Sequence, residues 1–122
     1  MTGDYSPVTL HPVQWNGHRL ETARLKADMS RGDLAFKMRE LSDGAVKPTE
    51  RSIRGWEKNE NEPIGTAAVV AAKAVGVDVE FFYTAEGEDE DPDMLAALYR
   101  RAAARRRVVD ELADAAKVPR PV

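Results

Sequence analysis

Cysteine is absent from this 122-residue chain, which excludes disulfides, thiol nucleophiles and every zinc site built on thiolates. The two histidines, His11 and His18, have no neighbouring ligand at metal spacing, so no metal is expected. No apolar run approaches the roughly 18 residues of a membrane-spanning helix, and MTGDYSPVTLHPV lacks the charged-then-apolar order of a signal peptide. The expectation is a cytoplasmic protein with no membrane partner. G-x-x-x-x-G-K-[ST], H-E-x-x-H and G-x-S-x-G are all missing. The acids from Glu86 to Asp93 lack the glycine and distal Glu of a calcium loop. Neither an enzyme nor a cofactor is expected.

What is present suits a folded chain: 43% hydrophobic and 32% charged residues argue against global disorder. The length allows one core with appendages. A net charge of −3 speaks against a polyanion partner until it is divided along the chain. Residues 17 to 62 carry ten Lys or Arg against nine Asp or Glu, whereas residues 85 to 93 carry six acids and no base. Residues 94 to 122 carry seven bases and three acids. Much of the acidity is therefore local, and a basic face elsewhere remains open.

Residues 1 to 16 have two prolines and no helical period, and read as an N-terminal arm whose Val8, Leu10, Val13 and Trp15 leave docking open. Asn16 caps a first helix from Gly17 to Asp28, with Leu20, Ala23, Leu25 and Ala27 on one face. Ser30 and Asp33 form a capping box for a second, with Leu34, Ala35, Met38 and Leu41 as its apolar stripe. SDGAVKP is a loop, and Thr49 caps a third helix that turns Ile53 and Trp56 inward. Trp56 reads as core and not as a platform for stacked bases. The fourth helix, Thr66 to Val75, is apolar enough to be buried on more than one side and stops at Gly76. Asp78 caps a short fifth helix, VEFFY. After an acidic linker, residues 85 to 92, Asp91-Pro92-Asp93 starts a long helix over 93–118, and residues 119 to 122 are a tail.

The ordered set Ser30, Leu34 and Ala35; Ile53, Trp56 and Glu57; Ala74, Val75, Gly76 and Val77 resembles the XRE, or Cro/cI-type, lambda-repressor-like helix-turn-helix family. The resemblance spans about residues 17 to 84 and implies an all-α protein: a five-helix helix-turn-helix domain, then the long C-terminal helix. One departure is the stretch of about ten residues between Met38 and Thr49, where the family has a tight turn; it resembles longer-turn variants of actinobacterial and phage regulators.

The resemblance further implies that the third helix enters the major groove of double-stranded DNA. Glu50, Arg51 and Arg54 would read bases, Arg by bidentate bonds to guanine and Glu by accepting from cytosine N4. Gly55 would leave one reading position empty. Arg31, Lys47, Thr49, Lys58 and Asn59 would meet phosphates. The bland alternative for the third helix is a solvated face of mixed charge.

In the C-terminal helix Leu95, Leu98, Ala102, Arg105, Val109, Leu112 and Ala116 alternate at spacings of three and four, a heptad seam interrupted by one Arg. The seam Leu95, Leu98, Ala102, Val109 and Leu112 favours a homodimer, against a helix folded back on its own domain. The function implied is a repressor on an inverted-repeat operator, with phage immunity or lysogeny control as one setting. Two alternatives stay open: an antitoxin-like autoregulator that binds a toxin partner through its C-terminal helix or its arm, and an interaction adaptor without a DNA role.

Overall fold

Short polar side chains divide this chain into helices. The computed structural model describes residues 13–85 and 91–117; residues 1–12, 86–90 and 118–122, with most of the arm, most of the acidic linker and the tail, lie outside the described residues. The order is β1 (Val13–Trp15), α1 (Gly17–Lys26), α2 (Arg31–Leu41), α3 (Glu50–Glu57), α4 (Gly65–Val75), a 3-10 turn (Val79–Phe82), β2 (Tyr83–Ala85) and α5 (Pro92–Lys117). Among the described residues the architecture is mostly α, with one two-stranded ribbon and a long C-terminal helix. No helix among them is long and apolar enough to cross a membrane.

Each helix start follows its cap. Asn16 Oδ1 accepts from the His18 N–H at 3.0 Å, and Thr49 Oγ1 accepts from the Ser52 N–H at 3.1 Å. Ser30 and Asp33 exchange two bonds: the Asp33 N–H donates to Ser30 Oγ and the Ser30 N–H to Asp33 Oδ2, both at 3.0 Å. A cap of this kind contributes about 1 kcal/mol by satisfying amides the helix leaves open. Gly76 closes α4 in the left-handed region at φ 79, where a side chain would add strain.

The core gathers one stripe from every helix. Leu20 and Ala23 of α1, Leu34 and Met38 of α2 and Ile53 of α3 are fully buried, and Trp56 is nearly so. Burying Trp56 contributes roughly 2–3 kcal/mol. The alanines of α4, Ala67, Ala71 and Ala72 among them, lie in the same cluster; small side chains let α2 and α4 approach closely. Phe81 and Phe82 complete it from the 3-10 turn.

The fold is mostly α as expected, and three local readings differ. Val13, Gln14 and Trp15 pair antiparallel with Ala85, Thr84 and Tyr83, so the arm's last residues are bound to the domain. Trp15 packs edge-on against Phe82 at 5.3 Å and donates its Nε1–H to Trp56 O at 2.9 Å. The first helix ends at Lys26 because Asp28 adopts φ 59, and Leu25 is left exposed. The VEFFY segment is a 3-10 turn that hands Tyr83 to β2. The long connection from α2 to α3 is built around Ser42, whose Oγ accepts from the Val46 N–H at 2.9 Å, and Val46 packs against the core.

Candidate nucleic-acid interface

The site begins at the buried end of α3. Glu57 lies four residues after Ile53, on the apolar stripe, and its side chain is fully buried. Arg24, four residues after the buried Leu20, meets it with two bonds: Nε–H to Oε2 at 2.6 Å and Nη2–H to Oε1 at 3.1 Å. Arg31, first residue of α2, donates Nε–H to Glu57 Oε1 at 2.9 Å. A buried carboxylate is tolerated only when paired and hydrogen-bonded in this way. The three charges lock α1, α2 and α3 together. The buried pairing of Arg24 and Arg31 with Glu57 was missed in the sequence, although a charged residue in an apolar register was the available signal.

On the opposite side of α3, Glu50, Arg51 and Arg54 are exposed. With Arg31 they line an open concavity of about 590 Å³ between α3 and the start of α2. Arg51 and Arg54 make no ion pair among the described residues. Glu50 leans towards α2: a Cβ added at Gly32 would lie 3.3 Å from its Oε1. The concavity thus carries three guanidinium groups and one carboxylate, donors and acceptor suited to base edges. In the first turn of α2 the Asp33 carboxyl is held below its ordinary value, first by the Ser30 N–H and then by the Ser30 hydroxyl.

The expected phosphate contacts divide. Lys47 and Lys58 are exposed. Arg31 is half-committed, since Glu57 holds its Nε and Glu21 lies 3.8 Å from Nη2. The Thr49 hydroxyl is occupied by the Ser52 N–H and lies 3.0 Å from Ser52 Oγ. Asn59, at φ 59, accepts the Gly17 N–H on Oδ1 at 2.9 Å, so it joins α3 to α1. Gly55 is buried beneath the loop after α3, where an added Cβ would lie 2.8 Å from Asn61 Nδ2. It stands one turn after Arg51, but that loop covers it.

Of the residues expected in the core of the helix pair, Leu34, Met38, Ile53 and Trp56 are buried and Ala35 packs beside them. The expected dimer seam is divided. Leu95, Leu98 and Ala102 pack against their own domain, where the Asp78 N–H donates to Ala102 O at 3.1 Å. Val109 and Leu112 are exposed. Within the basic cluster of α5, Arg106 donates to Val77 O at 3.1 Å and Arg105 lies 3.7 Å from Asp78. His18 lies 4.0 Å from Glu21, and His11 is outside the described residues. No family model, curated protein or solved structure matches this chain, which leaves the geometry of α2 and α3 to carry a functional reading.

Proposed function

We propose that the protein is a sequence-specific regulator of transcription that binds double-stranded DNA through α3, as a dimer on an inverted-repeat operator, and represses by occupying it in the cytoplasm. The observation that carries this reading is the pair Arg51 and Arg54, exposed and without ion pairs among the described residues, lining with Glu50 and Arg31 an open concavity between α3 and the start of α2. The other side of the same helix is fixed in the core by Ile53, Trp56 and Glu57. A rigidly held helix presenting two free guanidinium groups is what base recognition requires. Lys47 and Lys58, at either end of α3, are placed to meet the backbone on both sides of a groove, and such contacts set register without reading sequence.

Selection of bound duplexes from a random DNA pool at near-physiological salt, followed by sequencing, tests the proposal. An inverted repeat with half-sites about one helical turn apart is the expected result. Recovery of DNA with no shared motif would reject sequence specificity, and recovery of none would move the function to protein partners.

A further inference from the structure

The last part of α5 leaves the domain. Arg106 is tied to Val77 O; beyond it Val108, Val109 and Leu112 are 54%, 52% and 66% exposed. At about 100° per residue, Ala104, Val108 and Leu112 line one face, roughly 120° around the helix from the buried Ala102. This apolar row is therefore separate from the face that packs on the domain.

Charge indicates what covers it. Along this stretch five arginines from Arg100 to Arg107 precede three acids from Asp110 to Asp114. Arg107 and Glu111 stand on one flank of the row, one turn apart; both are exposed, and neither makes an ion pair among the described residues. A second α5 laid antiparallel along the row, with its midpoint level with residue 109, sets Arg107 against the partner's Glu111 and repeats the pair across the two-fold axis. A parallel copy would align base with base and acid with acid. We propose that this row is covered by a second copy of the chain in an antiparallel α5 pair whose midpoint along the helix axis is level with residue 109. The contact is isologous, so one surface serves both subunits, and its shortness makes it a modest interface in which each apolar side chain counts. Leu95 and Leu98 take no part, being packed on their own domain.

This rests on the reading of the chain as a dimer and not on DNA binding, so association is measured without DNA. Sedimentation equilibrium of the full chain is expected to show a monomer–dimer equilibrium. Leu112→Asp, on a side chain the fold leaves exposed, is expected to raise the dissociation constant at least about tenfold with helicity unchanged. Orientation is read from a spin label at Ala116→Cys, since the chain has no other cysteine. Seven residues beyond the midpoint, the two labelled Cα atoms would be roughly 21 Å apart along the axis in the antiparallel pair, against roughly 10 Å across a parallel one. A monomer at all concentrations, an unmoved dissociation constant in Leu112→Asp, or the short distance would each overturn the proposal.

Discussion

Arg24 and Glu57 form a two-toothed ion pair in which Nε meets Oε2 at 2.6 Å and Nη2 meets Oε1 at 3.1 Å, with the Arg24 side chain 8% exposed and that of Glu57 not at all. Removing the carboxylate leaves the buried Arg24 with only the Met29 carbonyl and takes the Nε partner from Arg31. Glu57→Ala is expected to lose about 3–5 kcal/mol of stability, the usual result of breaking a buried pair from one side. Urea denaturation checks this; an unchanged midpoint would show that water or relaxation replaces the carboxylate.

Gly17 admits no side chain. A Cβ there would lie 2.1 Å from Trp56 O and 2.6 Å from Glu57 O, both backbone atoms that cannot swing aside. Gly17→Ala is expected to destabilise by about 1–3 kcal/mol or more, although alanine is the better helix former. Gly55→Ala meets only the amide end of Asn61, so it is expected to cost less. Thermal melts of the two variants side by side decide the order.

The capping box at α2 sets an acid-sensitive contribution. Because the Ser30 N–H and then the Ser30 hydroxyl hold the Asp33 carboxyl below its ordinary value in the folded state, its charged form favours folding. That contribution is complete above the unfolded value and is lost as pH falls through the lower folded one. Asp33→Asn is expected to be less stable than the parent at neutral pH and to approach it under acid conditions. Parallel loss at all pH values would trace the effect to shape and not to charge.

On the proposed DNA interface, Arg51 and Arg31 are expected to behave differently. Arg51→Ala loses about 1–3 kcal/mol of discrimination between operator and mismatched sites with its helix content kept. Arg31→Ala weakens binding to all sequences alike and makes the salt dependence shallower by roughly one phosphate contact. Because Arg31 also touches Glu57, its variant is expected to melt earlier too. Binding isotherms against two sequences at two salt concentrations separate these roles; interchanged behaviour would reverse the assignment.

The helices were legible because their signals are local: Asn16, Ser30, Thr49 and Gly76 act within a few residues of themselves. The ribbon was not. Its strands are three residues long, too short for an alternating pattern, and their partners stand at opposite ends of the domain. The split in α5 was hidden for a related reason. A heptad spacing fixes which residues share a face and says nothing of what that face meets, so Leu95 and Leu112 looked alike until one was found on the domain and the other beyond it. Thr49 and Asn59 carry chemistry fit for phosphate, but a short polar side chain beside a helix end also serves the local backbone.

Truncation separates the two parts of α5. Ending the chain after Thr84 uncovers Phe81, which meets the Tyr99 ring at 5.9 Å, and removes the carbonyl that receives the Asp78 N–H. That variant is expected to lose several kcal/mol. Ending it after Arg107 retains these contacts and is expected to melt near the parent temperature. Calorimetry of both variants checks the contrast, and equal melting temperatures would contradict it.

The ribbon also governs the order of events in folding. The turns of α1 to α4 form from neighbours along the chain, but β1 and β2 come from opposite ends of the domain, so the clasp carries a high loop-closure cost and is expected to close late. Once closed, it joins the two ends of the domain through the Asn16 N–H and Phe82 O, 2.7 Å apart. Amides near Asn16 should then exchange with solvent as slowly as those of the interior helices, and a nick in the ribbon should release both ends together.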